Sequence, residues 1–231
     1  MNFDTSHKDE LYSDLISNIN EYKKLHEFIY SKNFMNYFLQ IFKTDIDKEI
    51  YQLNLKDINN YLLDFNPLEI EKVYSKFDLN NNEVKRILFP RLDIGIGIKG
   101  YGIKTGGKGI HVDNPQRLIS ILFYLGGFQK IEGGEHRIWT KKNNKLEIDK
   151  IIQPKPNLLI ASLQNNVSFH DVNPIKSMTG TRNAFYIAIS ANQKIWKKLE
   201  NNNFNQMYNK NRSENKYNLI DKIKNILRIK I

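Results

Sequence analysis

Two histidines and one aspartate in the middle of the chain have the types and the spacing to bind one metal ion. His111 and Asp113 stand two residues apart, so in an extended segment both side chains point the same way. A third ligand can come from His170, which lies near a later predicted strand and faces the His111 segment if the sheet closes. Two imidazoles and one carboxylate form the facial triad of Fe(II) sites, which leaves coordination positions open, whereas zinc more often has a closed shell. Taken alone, His-x-Asp is a common chance pattern.

An arginine after His170 adds a charge that a bound ligand could satisfy. Arg182 heads a predicted strand in which Ala184 and Ala188 share its parity, so small side chains beyond it leave room for a bound molecule. A guanidinium inside a barrel is costly unless it is paired, and a ligand carboxylate held by two hydrogen bonds would pair it. The alternative is an ion pair with Asp93 or Glu135, and the sequence leaves both interpretations open.

The elements that must position these residues indicate an α+β fold. Over residues 9–30 and 34–42 apolar side chains recur every three or four positions, which predicts amphipathic helices, the first capped by Thr5 or Ser6. From residue 92 the apolar residues alternate instead. Short strands, separated by Gly and Pro turns, are predicted at 92–98, 118–125, 135–140, 146–152, 158–163 and 182–190. Their near-regular spacing is typical of a sandwich or closed barrel.

Length and composition predict one domain with appendages and exclude several kinds of chemistry. The 231 residues divide into a helical region at 1–92 that packs on the core, a barrel core at 93–192 and a basic helical tail at 193–231. The absence of cysteine excludes disulfides, cysteine-ligated metals and a cysteine nucleophile. With neither a signal-peptide pattern nor a membrane-length apolar run, we expect a cytoplasmic protein without a membrane partner. The net charge of +10 combines −3 in residues 1–92 with +13 in residues 93–231, and this positive region admits a nucleic-acid partner, although a solvated basic surface is the simpler interpretation.

At the residues described above, the chain resembles the Fe(II)- and 2-oxoglutarate-dependent oxygenases, and among them the prolyl hydroxylase type. The family pattern is His-x-Asp, a distal His roughly fifty to sixty residues later and a basic residue about ten beyond it. Here His111, Asp113, His170 and Arg182 match that order. The resemblance covers residues 93–190 and also includes the runs at 111–115, 133–134 and 170–174. It implies a double-stranded β-helix, that is, a jelly-roll, cupin-like core with N-terminal helices packed on it and a C-terminal helical tail.

The resemblance also implies roles for single residues. His111, Asp113 and His170 would bind Fe(II), and Arg182 would pair with the distal carboxylate of the cosubstrate 2-oxoglutarate. Tyr101 and Tyr124 match family positions whose hydroxyls help to hold that cosubstrate, although Tyr101 could be only a loop aromatic. Two positions depart from the pattern. His136 stands where the family often has an apolar residue and is expected to contact the pocket but not to bind the metal, and Ala184 stands where many members have serine.

The implied reaction is hydroxylation of a substrate C–H bond by dioxygen, with 2-oxoglutarate converted to succinate and CO₂. The first substrate suggested is a prolyl residue or a proline-like molecule, within a partner class of peptides and small molecules, and ascorbate is a further cofactor to test. Two alternatives stay open. One is a nucleic-acid demethylase of the same superfamily, for which binding would be salt-sensitive. The other is a non-catalytic jelly-roll binding protein, which would not need the four residues His111, Asp113, His170 and Arg182 together.

Overall fold

A computed structural model describes residues 2–6, 10–52, 58–65, 86–97, 109–143 and 145–197. The helices are α1 (Glu10–Asn18), α2 (Asn20–Ile29), α3 (Lys32–Ile41) and α4 (Lys43–Gln52). The strands are β1 (Asn2–Ser6), β2 (Leu62–Leu63), β3 (Ile87–Gly97), β4 (Arg117–Glu132), β5 (His136–Lys142), β6 (Lys145–Ile152), β7 (Leu158–Leu163), β8 (His170–Val172) and β9 (Ser177–Ala191). Tyr101 and the predicted helix at 219–227 lie outside the described residues.

The strands form two sheets with the connectivity of a jelly roll. The larger sheet has the order β1-β3-β9-β4-β7, with β2 parallel to β3, and the smaller has the order β6-β5-β8. His111 extends the smaller sheet by an isolated antiparallel bridge to His170, next to β8. Four strands, β3, β9, β4 and β7, therefore oppose a second layer made of the His111 segment, β8, β5 and β6. The predicted double-stranded β-helix core is confirmed by this strand order.

The two faces of the larger sheet contact different parts of the molecule. On β9, Phe185, Ile187 and Ile189 belong to a core cluster that includes Phe34 and Met35 of α3, so this face packs against the helices. Because side chains alternate along a strand, the residues between them turn to the opposite face. That second face, between the two sheets, is where the polar residues of the candidate site lie.

Several local expectations were wrong. Thr5 and Ser6 do not cap a helix, because residues 2–6 form β1 and pair with β3. The helix expected over 9–30 is divided at Ile19 into α1 and α2. Of the helical tail expected at 193–231, the described residues 193–197 are not helical.

The Gly126-Gly127 pair also differs from the expectation, because it does not end its strand. β4 continues to Glu132 with shifts of register against β9 around both glycines, whose φ angles are 117° and 93°. A Cβ on Gly127 would lie 2.7 Å from the carbonyl oxygen of Thr181. This position therefore needs glycine both for its backbone angle and for the close approach of β9.

Candidate metal centre

The described structure brings the side chains of His111, Asp113 and His170 to one point between the two sheets. Their potential ligand atoms all lie within 4.8 Å of one another. Nε2 of His111 is 3.9 Å from Oδ1 of Asp113, and Nε2 of His170 is 4.0 Å from Oδ2. The two histidines are tied by their backbones as well, since each amide donates to the carbonyl of the other at 3.0 and 2.9 Å. A pair of ladder hydrogen bonds thus fixes two residues that are far apart in sequence.

Both imidazoles are oriented through Nδ1. The ring of His111 has its Nδ1 2.8 Å from the carbonyl oxygen of Gly109, and the ring of His170 has its Nδ1 3.0 Å from that of Ser168. A carbonyl can only accept, so in both contacts Nδ1 carries the proton and Nε2 is the nitrogen that could bind a metal ion. Gly109 has a φ of 70°, a left-handed conformation that favours glycine.

Asp113 is held as an oriented carboxylate. The hydroxyl of Ser120 donates to Oδ2 at 2.7 Å, and Nη1 of Arg117 lies 3.1 Å from Oδ1. Burial raises the pKa of Asp113, but Arg117, the Ser120 hydroxyl and the two imidazoles outweigh it, so its pKa lies below the ordinary value. An ionised carboxylate beside the Nε2 atoms of two imidazoles is the donor set of a facial triad, and these residues therefore fit Fe(II).

Arg182 and Tyr124 present unsatisfied polar atoms in the same interior. Nη1 of Arg182 and the hydroxyl of Tyr124 are buried, and neither has a hydrogen-bond partner among the described residues. The guanidinium carbon lies 5.9 Å from the centre of the Tyr124 ring. Burial raises the pKa of Tyr124 to about 12, with Arg182 acting in the opposite direction, so the phenol keeps its proton.

The internal ion pair considered for Arg182 is not formed in the described part of the chain. Asp93 accepts a hydrogen bond from Nε of Arg91 at 3.1 Å, and Glu135 accepts one from Asn173 at 2.7 Å. Each of the two acids thus has another partner, and the buried guanidinium has a vacant donor. A buried donor without an acceptor is costly, which favours a ligand with a carboxylate at this place.

His136 lies beside the metal-binding residues. Its ring centre is 5.5 Å from that of His170, with the planes inclined by 27°, and its Nδ1 is buried without a hydrogen-bond partner in the described residues. Burial and the neighbouring His170 lower the pKa of His136 to about 4, so the ring is neutral at neutral pH.

A cavity of about 410 Å³ lies between β7 and the strands β5 and β6. Its lining is mostly apolar and also includes the polar side chains of His136, Lys150, Ser162, Gln164, Ser168 and His170. Such a pocket suits a small ligand fixed by a few directed polar contacts. The residues that line the cavity include His136, Ile138, Leu158, Ile160, Ser162 and His170.

Sequence reasoning gave no role to two residues that hold Asp113. They are Arg117 and Ser120, and both lie close after the aspartate in sequence. Ser120 shares strand parity with Leu122 and Tyr124, which is the signal that could have placed its hydroxyl on the side of the metal site.

A jelly roll with two histidines and one carboxylate on its inner face offers the donor set of a metal-binding β-helix. Residues 97–189 match the family model of the 2OG-Fe(II) oxygenase superfamily. The resemblance to this superfamily noted in the sequence is therefore confirmed over that part of the chain. No curated protein matches the chain.

Three of the solved structures similar to the chain are prolyl hydroxylases. A prolyl 4-hydroxylase from Phytophthora capsici is 17% identical with a TM-score of 0.45, and the match covers 81% of this chain and 47% of that one. A prolyl hydroxylase from Trichoplax adhaerens, in complex with a peptide fragment of the hypoxia inducible factor oxygen degradation domain, is 21% identical with a TM-score of 0.32 and coverages of 46% and 44%. A Pseudomonas putida prolyl-4-hydroxylase is 19% identical with a TM-score of 0.32 and coverages of 44% and 48%.

The matches cover about half the length of these three solved proteins. At such identities and TM-scores, what those proteins act on does not carry over to this chain. Among the described residues, none of the helices is long and apolar enough to cross a membrane.

Proposed function

We propose that this chain is an Fe(II)- and 2-oxoglutarate-dependent dioxygenase that hydroxylates a C–H bond and releases succinate and CO₂. The observation that carries the proposal is the pairing of two features in one interior. The ligand atoms of His111, Asp113 and His170 converge on one point, and the buried donors of Arg182 and Tyr124 have no partner in the described residues. A dicarboxylate that reaches from the metal to the guanidinium would satisfy both ends at once.

The chain's own residues supply binding, orientation and exclusion of water. His111 and His170 would hold Fe(II) through Nε2 and Asp113 through its carboxylate, which Ser120 and Arg117 keep in place. When bound, Fe(II) would supply the activation of dioxygen and the oxidation of the substrate, coupled to decarboxylation of 2-oxoglutarate.

The cosubstrate would be held at its distal end by two groups. Arg182 would donate to the distal carboxylate from Nη1, and the protonated phenol of Tyr124 would donate a second hydrogen bond. Leu158 and Ile160 of the cavity wall give the methylene groups an apolar surface and keep water away from the reacting atoms. Tyr101 is proposed as a further contact on the resemblance alone, and ascorbate as a further cofactor.

The first substrate to test is a prolyl residue or a free proline-like molecule. The motif at 111–115 and the spacing to His170 and Arg182 resemble the prolyl hydroxylase type, and that resemblance is the support for this choice. A nucleic-acid demethylase is the second candidate, because residues 93–231 carry the positive charge of the chain. It would bind oligonucleotides with an affinity that falls as salt is added.

Formation of succinate tests the proposal. Purified protein with Fe(II), 2-oxoglutarate, dioxygen and a panel of prolyl peptides should release succinate, and Asp113→Ala should abolish that release. Asp149→Ala, which removes an exposed aspartate of β6, is the matched control and should leave it unchanged. Equal succinate from the Asp113→Ala variant would rule out this site as its source. Binding of 2-oxoglutarate without any turnover on the peptides or oligonucleotides would favour the non-catalytic alternative.

A further inference from the structure

The proposed function gives no role to one buried polar atom of the interior, Nδ1 of His136. Three such atoms face this space without a hydrogen-bond partner among the described residues, namely the hydroxyl of Tyr124, Nη1 of Arg182 and Nδ1 of His136. The first two have a role as donors to the distal carboxylate. His136 stands where the resemblance implies an apolar residue, so the family pattern does not account for its imidazole.

The position of His136 is intermediate between the metal ligands and the arginine. Its ring lies against that of His170, at 5.5 Å between centres. Two residues before it, a Cβ on Gly134 would lie 3.4 Å from Nη1 of Arg182. The side chain also lines the cavity. His136 is thus the neighbour of His170 and stands two residues from a position next to Arg182, so a molecule that extends from the metal to the guanidinium would lie near it.

The chemistry of His136 limits what it can recognise. An imidazole can present an N–H donor at Nδ1, and Nδ1 of His136 is buried without a hydrogen-bond partner in the described residues. A buried polar nitrogen without a partner costs free energy, and a ligand that supplies the partner recovers that cost. Arg182, whose Nη1 would lie 3.4 Å from a Cβ on Gly134, attracts an anionic group, so a carboxylate oxygen is the acceptor expected near His136.

We propose that His136 is a third residue that binds the cosubstrate, with Nδ1–H donating a hydrogen bond to a carboxylate oxygen of 2-oxoglutarate. This inference rests on the proposed function, because it assumes that 2-oxoglutarate occupies the interior. It goes beyond that function by assigning to this chain a polar contact in place of an apolar one.

Direct binding of 2-oxoglutarate to the protein loaded with Mn(II) tests the inference without turnover. Calorimetry would compare the wild type with His136→Leu, His136→Asn and His136→Gln. The Asn side chain places its amide nitrogen near the position of Nδ1, whereas Gln places it near Nε2, and Leu has no polar atom. A hydrogen bond to a charged group is worth about tenfold to a hundredfold in affinity. We therefore expect Leu and Gln to weaken binding by roughly tenfold or more, and Asn to stay within about threefold of the wild type.

The affinity for Mn(II) alone serves as the internal control and should be the same in all four proteins. Binding of 2-oxoglutarate by His136→Leu as tightly as by the wild type would overturn the inference and leave the proposed function intact. Equal losses in the Asn and Gln variants would also overturn it, because shape and not the Nδ1 donor would then explain the effect. If the wild type binds Mn(II) but no 2-oxoglutarate, the proposed function itself fails.

Discussion

The hydroxyl of Ser120 is the smallest group whose removal tests how the metal site is held. Ser120 lies on β4 and donates to Oδ2 of Asp113 at 2.7 Å, while the other oxygen, Oδ1, lies 3.1 Å from Arg117. Ser120→Ala deletes one oxygen atom and leaves the three metal ligands unchanged. The carboxylate would then be fixed on one side only and could rotate out of the position that the two imidazoles require.

The expected loss is one of metal affinity. Partners that orient a metal ligand typically contribute about tenfold to a hundredfold to metal affinity. Arg117 still neutralises Asp113 in the variant, so the lower part of that range applies, and we expect Mn(II) or Fe(II) to bind roughly tenfold more weakly. Ser120→Thr keeps the hydroxyl and should recover most of the loss.

Competition with a chelator of known affinity, in the absence of dioxygen, measures this effect. Ser162→Ala is the matched control, since Ser162 is the cross-strand neighbour of Ser120 and its hydroxyl accepts from Gln164 instead of contacting Asp113. Unchanged metal affinity in Ser120→Ala would refute the claim that this hydroxyl orients the ligand. An equal loss in Ser162→Ala would refute it as well, because the effect would then be a general one of the sheet.

Two further predictions concern the stability of the fold. Asp171 is buried and accepts hydrogen bonds from Arg137 and from the indole nitrogen of Trp139. Asp171→Ala should therefore lower the free energy of unfolding by about 3 kcal/mol. Urea denaturation of the metal-free protein measures this loss. Asp47→Ala removes an exposed pair on α4 and should cost less than about 0.5 kcal/mol, and similar losses in the two variants would contradict this account. Burial raises the pKa of Tyr30 to about 12. Since the phenol then ionises first in the unfolded chain, the stabilisation that the protonated Tyr30 provides is complete below about pH 10 and declines as the pH rises towards 12. Denaturation at several alkaline pH values should show a slope reduced by about 1.4 kcal/mol per pH unit in Tyr30→Phe, and an unchanged slope would refute this assignment.

The fold of the core was predictable because its signals are local. Alternating apolar residues and Gly or Pro turns mark the strands, and β7 was predicted with its observed bounds of Leu158–Leu163. The N-terminal strand β1 was missed because its partner in the described part of the chain, β3, lies about ninety residues further along, as the pairing of Asn2 with Gly97 shows. Thr5 and Ser6 are good helix caps by type, and pairing across that distance overrides the local preference.

The juxtaposition of His111, Asp113 and His170 was indicated by their spacing together with the family resemblance, whereas the groups that orient them were not indicated. Strand parity places His111 and Asp113 side by side, and that signal is contained in three residues of sequence. The donors that orient the imidazoles are backbone carbonyls, at Gly109 and Ser168, and every residue type has one. The unpartnered state of His136 depends on what surrounds it in three dimensions, so no pattern in the sequence indicates it.

The central claim is that His111, Asp113 and His170 together hold a single ferrous ion. Equilibrium dialysis against Fe(II) without dioxygen, followed by metal analysis, measures this directly. We expect one bound Fe(II) for each wild-type chain and, at the same concentration of free Fe(II), none for Asp113→Ala. An Asp113→Ala protein that retains one tightly bound Fe(II) would contradict it.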